Sequence, residues 1–496
     1  MSRGLERWAF AVIVLGILAG VYGFAAAQAI PAPTLFDVAW EERSQFAADV
    51  QLGWRDEALS LDDAPVYHLV WSLHDATELT ARQEVRVVNY SSEPWQELYF
   101  QLLPNLLGGR LAIEGLRLNG EELLPQFVDG NRLLRVELPV DLEPGDAVVV
   151  GLDYTLTIPT TGGGNYGILA YREGVLSLAH AYALLSVYGP DGWDNDRPPR
   201  YGDLVFAQSS FFQVRLDAPL ELEIAASGRE FERRVEGERQ QLQIVAGPVR
   251  DFYLVAGQEL EPAVATAGDV EVRGHATPGT SNAMERAVEI AAQAIEIFVS
   301  RYGPYPFTEL DVVAISTTAL GVEFPGIIAL RHELLAPEGS ELLESTVVHE
   351  VAHQWFYSLV GNDQVSEPWL DESLTQYLTL RYYLQEHGAQ GYRTFRESLS
   401  SRWERVDREP ALVGRPVAEY DVNEYGAIVY GLGPLVVEWL AGIMGRPAFD
   451  IFLRDYVERY AFGLVRTEDF RELAEQHCHC SLTEFFNEWV VPQGER

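Results

Sequence analysis

The sequence predicts a multidomain α+β protein. An all-β saddle or sandwich domain over residues 65–262 precedes a mainly helical domain over residues 263–496. Three observations carry this. The chain has 496 residues, too many for one ordinary core. Between about Tyr67 and Leu260, short alternating or β-rich runs are separated by turn signals. From about Ser340 onward the text has helical period almost throughout.

The composition, 47% hydrophobic and 22% charged, is that of folded globular protein. Against 74 acidic residues stand 36 basic ones, all of them arginine, for a formal charge of −38. Such a surface repels phosphate backbones and anionic headgroups, which excludes nucleic acid as a partner.

Taken in order, the chain starts with Arg3 and Arg7 ahead of an apolar run, residues 8–28. Small residues from Ala25 to Ala29 follow, so residues 1–29 read as a secretory signal or an uncleaved membrane anchor. Both readings place the rest of the chain outside the cytoplasm, secreted or membrane-anchored, with the arginines inside. Residues 30–64, opening with Ile30-Pro31-Ala32-Pro33, read as a linker or N-terminal extension.

In the β domain the strand signals are 81–88, 98–103, 133–138, 147–156, 211–216, 220–226 and 241–245. Further strands are expected at 270–274, 310–316 and 321–331, with a helix at 282–301 between the first two. Ser340 is the expected N-cap of a helix reaching toward Gly361, and the next helix runs from Pro368 to Gly388. Later helices are expected at 423–444, 447–460, 467–476 and 482–490. The only cysteines, Cys478 and Cys480, lie in His477-Cys478-His479-Cys480. Cysteines two apart rarely reach disulfide geometry, and zinc sites use wider spacings, so an unbridged surface helix end or loop is expected there.

The chemistry concentrates in His349-Glu350-Val351-Ala352-His353. Residues four apart share a helix face, so His349 and His353 can hold one metal ion while Glu350 serves as a base. Glu372, eighteen residues beyond His353, is placed to supply a third ligand from the following helix. Three protein ligands with an open fourth position describe a catalytic zinc site, one Zn2+ per chain.

These residues also carry a resemblance. His349 to Trp355, the eighteen-residue gap and Trp369-Leu370-Asp371-Glu372-Ser373 resemble the gluzincin aminopeptidases. That family is the aminopeptidase N-like one that includes the leukotriene hydrolases. Its Trp-Leu-Asn-Glu-Gly here reads Trp-Leu-Asp-Glu-Ser. Leu320-Gly321-Val322-Glu323-Phe324 is similar to the family's Gly-x-Met-Glu-Asn motif, with Leu320, Val322 and Phe324 departing from it. The resemblance implies that Glu323, on an edge strand with Gly321, binds the free α-amine of a substrate. Tyr425-Gly426-Ala427-Ile428-Val429-Tyr430-Gly431-Leu432-Gly433-Pro434 resembles the family's Tyr-x-x-Gly-Ala helix start. It implies that Tyr430 donates to the developing oxyanion, with Tyr425 as a candidate helper. Phe485-Phe486-Asn487-Glu488-Trp489 resembles the family's closing Phe-Phe-x-x-Trp.

A small sheet followed by helices, with the metal motif between them, resembles a thermolysin-like zinc peptidase domain. The implied function is a zinc metallo-aminopeptidase acting on peptides with a free N-terminus. Larger family members continue into a capping helical domain, whereas this sequence stops at Arg496, which implies a more open site. Two alternatives stay open on the same residues: a broad-specificity endopeptidase, and a surface-anchored zinc-containing binding module without turnover. Epoxide hydrolysis, as in the leukotriene hydrolases, has no residue of its own in support.

Overall fold

Alternation of apolar and polar residues builds the first half. In β1 (Val66–Asp75), Leu69, Trp71 and Leu73 point inward and are buried. With β2 (Glu78–Val88), β3 (Arg110–Leu118), β4 (Glu121–Leu123), β5 (Ala147–Thr157), β6 (Ser210–Pro219), β7 (Arg229–Glu236) and β8 (Arg239–Val249) it forms an eight-stranded sheet. The order is β7-β8-β6-β1-β2-β5-β3-β4. Only β1 and β6 pair in parallel, Val66 opposite Phe211. Parallel neighbours need a long crossover. Here the intervening chain supplies all of one four-stranded sheet, containing Trp95–Gln101 and Leu133–Leu142, and half of another, containing Val175–Leu178 and Leu254–Gly257. The computed structural model describes residues 30–162, 164–337 and 340–491, so the leader or anchor expected at 1–29 lies outside the described residues.

Residues 30–64 are not a free linker. Trp40 stacks on His68 with ring centroids 4.4 Å apart, and Phe46 packs on Phe211 at 4.8 Å. Further along, Val50 bridges to Phe307, and the Trp54 indole N–H donates to the Pro304 carbonyl at 2.9 Å. The segment's scattered aromatics, which show no period, thus bind it to both halves of the molecule.

A second sheet opens the other half. It consists of β9 (Glu261–Ala267), β10 (Val270–Ala276), β11 (Glu309–Ile315), β12 (Gly321–Val322) and β13 (Ile327–Arg331), in the order β9-β10-β11-β13-β12. The single strand expected over 321–331 is instead a hairpin. Pro325 cannot donate to a ladder, and Gly326 takes φ +71°, so the chain turns at Glu323–Gly326. β12 is therefore a two-residue edge strand, antiparallel to β13.

Helix α1 (Ser281–Tyr302) covers this sheet, burying Met284, Val288, Ile295 and Phe298. Then come α2 (Ser340–Ala352), α3 (Glu372–Glu386) and α4 (Gly388–Trp403). Helix α2 begins at the expected Ser340, whose side chain is not among those described. It stops well short of Gly361. Helix α4 has no counterpart among the expected elements, because glycines at 388 and 391 and a polar text conceal its period. Helix α5 (Val422–Ala427), a π-helical turn (Ile428–Leu432) and α6 (Gly433–Met444) form one continuous rod. That rod is long and apolar enough to cross a membrane, but 78% of its most apolar 18-residue stretch is buried within the fold. Helices α7 (Arg446–Tyr460), α8 (Thr467–Cys478) and α9 (Thr483–Trp489) complete the chain. Contrary to expectation, Cys478 and Cys480 are bridged. Helix α8 ends at Cys478, and His479 takes the left-handed φ of +52°, folding the two Cα atoms to 5.2 Å.

The two halves are latched by Arg250, buried just after β8. Its guanidinium donates to the carbonyls of Tyr357 at 2.7 Å, Leu359 at 3.3 Å and Ala207 at 3.2 Å, and to that of Gly463. These carbonyls include two, Tyr357 and Leu359, from the turns that follow the metal-motif helix. Gly361 is required there, since a Cβ would lie 2.2 Å from the guanidinium. Arg250→Met strands four carbonyls. It should lower unfolding free energy by roughly 3 kcal/mol, seen as a clear fall in melting temperature. An unchanged melting temperature would show that the latch contributes nothing.

Candidate active site

The site forms where the β12–β13 hairpin, α2, α3 and the π turn meet in one cleft of about 1400 Å³. His349 and His353 project from successive turns of α2, with an i to i−4 bond from the His353 N–H to the His349 carbonyl at 3.3 Å. Glu372 opens α3, its backbone N–H capped by the Asp371 side chain at 2.9 Å. His349 Nε2 lies 3.1 Å and His353 Nε2 3.5 Å from Glu372 Oε2, and the two ring nitrogens are 3.2 Å apart. The His353 Nδ1–H donates to the Phe356 carbonyl at 3.0 Å, which leaves Nε2 free to ligate. Two imidazole nitrogens and one carboxylate oxygen converging within 4.8 Å fit a zinc ion with its fourth position open.

The electrostatics follow from burial of many acids together. Burial alone would lower the His353 imidazole, but the hydrogen bond to Glu372 and the fields of Glu323, Glu372 and Glu350 push it up to about 10. Burial lowers His349. The Glu372 carboxyl is held well below its ordinary value, since hydrogen bonds to both histidines outweigh its burial. Glu350 is buried and pushed well above the usual carboxylate range, with Glu323 and Glu372 adding to the effect.

Gly321 explains how Glu350 is aimed. A Cβ at 321 would lie 2.3 Å from Glu350 Oε1, so the edge strand is a floor against which the carboxylate rests. Glu323 follows in the turn rather than on the strand itself. Its carboxylate accepts from Gln364 Nε2 at 2.9 Å and lies within 4.8 Å of the Glu350 and His353 ligand atoms. The turn is fixed by Gln354, just past the motif. Gly326 N–H donates to its Oε1 at 2.9 Å, and its Nε2 donates to the Phe324 carbonyl at 3.2 Å. Phe324, where the resembling motif has asparagine, stacks on Tyr253 at 3.8 Å.

On the helical side, the Tyr430 hydroxyl donates to Glu372 Oε1. Burial, then Glu372 and Tyr425, push this phenol well above its usual value, so it stays a donor. Tyr425 sits edge-on to Tyr430 at 5.5 Å, its buried hydroxyl without a partner. Tyr430 lies in the π turn, a conformation that frees backbone carbonyls. The Ser373 hydroxyl donates to one of them, Val429, at 2.8 Å. Gly433 leaves the room for this, since a Cβ there would lie 1.9 Å from Ser373 Oγ. The departure to serine is thus matched inside the fold.

All eight residues singled out from the sequence therefore line one cleft. Sequence reasoning missed Asp203 and Gln364. Asp203 arrives from the β domain, and burial, then Glu323 and Glu372, push its carboxyl well above the usual range. Gln364 also donates to Asp371 Oδ2 at 2.8 Å, tying the Glu323 turn to the start of α3. Neither belongs to a local pattern. The only hint for Gln364 is its place eight residues before Glu372.

Comparisons with known proteins agree with this geometry. Residues 286–489 match the peptidase family M1 domain. The chain is 24% identical over 426 residues to aminopeptidase M1-B of Oryza sativa subsp. japonica, covering 78% of this chain and 46% of that protein. It is 32% identical over 264 residues to human aminopeptidase RNPEPL1, covering 49% and 35%. The chain thus spans less than half the length of these curated relatives. Its fold matches the crystal structure of an M1 zinc metallopeptidase from Deinococcus radiodurans, with a TM-score of 0.64 at 20% identity over 88% of this chain and 95% of that one. Over residues 286–489 the chain is thus similar to the peptidase family M1 domain, in line with the resemblance that its motifs carry.

Proposed function

We propose that this chain is a zinc metallo-aminopeptidase that releases N-terminal residues from peptides. The observation that carries the reading is Glu323, a buried carboxylate fixed by Gln364 beside the metal ligands. A fixed anion there binds a chain that begins at the site, since an internal peptide unit offers no ammonium. A mutant of an M1 zinc metallopeptidase from D. radiodurans, similar in fold, is bound to a Tyr-Ser-Ala substrate, the same class of ligand.

His349, His353 and Glu372 would hold the zinc ion, which supplies Lewis acidity and lowers the pKa of a bound water. Glu350 takes the proton from the attacking water and passes it to the departing amine. Tyr430 turns its hydroxyl from Glu372 toward the scissile carbonyl oxygen and stabilises the charge that develops there. Glu323 holds the ammonium, Gly321 and β12 set the height of the substrate over Glu350, and Tyr425 lines the cleft behind Tyr430. The arginine-led apolar run at residues 8–28 supports an extracytoplasmic location, secreted or membrane-anchored.

Two outcomes test this assignment. Glu350→Gln and Gly321→Ala should each keep one zinc per chain while lowering turnover of alanyl-nitroanilide by about 100-fold or more. The first removes the base and the second displaces it. Full activity in either variant would contradict the role given to Glu350. Glu323→Ala should abolish most of the preference for free over N-acetylated substrates. If the ratio stays as in wild type, the ammonium anchor is wrong and an endopeptidase on the same site is the better reading.

A further inference from the structure

Helix α4 forms the outer wall of the cleft, presenting Phe395, Ser398 and Arg402, with Arg405 just beyond its end. In a chain of 74 acidic and 36 basic residues, arginines find carboxylates easily. Close by, Arg396 pairs with Glu438 at 2.7 Å and Arg408 with Glu424 at 2.6 Å. Among the described residues, the Arg402 and Arg405 side chains have no ion pair and no hydrogen bond. Asp407, also in the cleft lining, pairs with neither.

Arg402 is half-buried, and the groups acting on its charge are Tyr430 and the like-charged Arg405. A cation partly withdrawn from water without a counter-charge costs free energy, so its position points to a ligand that supplies one. Its backbone is firmly placed. At Gly431, next to Tyr430, a Cβ would lie 2.9 Å from Trp403 N and 3.3 Å from Arg402 Cβ. The end of α4 is thus pressed against the turn that carries the oxyanion donor. Glu323 enters the same cleft from the sheet side. A carboxylate therefore serves one wall and a pair of guanidiniums the other.

We propose that Arg402, assisted by Arg405, binds the C-terminal carboxylate of the substrate, so that the enzyme selects short peptides free at both ends. The inference rests on the aminopeptidase reading, because Glu323 must fix the amino end for the far end to be measured. Arginine suits this role, since its planar fork matches a carboxylate with two parallel hydrogen bonds.

The test compares kcat/KM for Ala-Ala-Ala, its C-terminal amide and alanyl-nitroanilide, using the full chain with zinc. Wild type should prefer the free acid over the amide by about 10- to 100-fold, chiefly through KM. Arg402→Gln should bring that ratio close to one, Arg402→Lys should retain part of it, and Arg405→Gln, at an exposed position, should reduce it. Wild type without an acid preference, or Arg402→Gln with the wild-type ratio, overturns the proposal while the nitroanilide still reports aminopeptidase activity. Absence of nitroanilide turnover in wild type overturns both the aminopeptidase reading and this one.

Discussion

One buried amide organises the site. The Gln354 side chain accepts from Gly326 and donates to Phe324, so it grips the turn that carries Glu323 at two points. Gln354 follows His353 directly, so the same stretch that holds the metal also fixes the sheet edge. Three positions depend on that grip. Glu323 points into the cleft, Gly321 lies under Glu350, and Phe324 reaches Tyr253 of the β domain. A buried amide with both ends satisfied is stiff as well as stable, since any tilt leaves a polar group unpaired.

The β domain is part of the candidate site rather than a mere attachment. Arg250 fastens the turn beyond the metal helix, Tyr253 backs the Glu323 turn, and Asp203 brings a further carboxyl into the lining. The N-terminal segment strengthens the same union through Val50, Trp54 and the Asp49 carbonyl, which accepts from Thr308 at 2.7 Å. The result is a cleft with several carboxylates crowded around two histidines. That crowding favours positive charge, which a metal ion at its centre would supply.

The metal half of the site is legible in the sequence because its information is local. His349, Glu350 and His353 are fixed by helix period, and Glu372 opens the helix that follows. The strands of the large sheet are legible for the same reason. Glu323 is legible as a residue but its setting is not, since a two-residue strand carries no period and Pro325-Gly326 acts as a turn. Helix α4 is hidden by its glycines and polar text, and with it Arg402. Asp203 and Gln364 become meaningful only through tertiary contact. The Cys478–Cys480 bridge departs from expectation because spacing alone does not reveal that His479 adopts a left-handed conformation. The packing of residues 30–64 is invisible in the sequence because isolated aromatics make no pattern.

The central claim is that these elements converge to hold one catalytic metal ion. Anomalous diffraction at the zinc edge, from crystals of the zinc-loaded chain, tests it directly. The account predicts one strong peak about 2.0–2.2 Å from His349 Nε2, His353 Nε2 and the Glu372 carboxylate. No peak there, or a peak beside His477 and His479 instead, would contradict it.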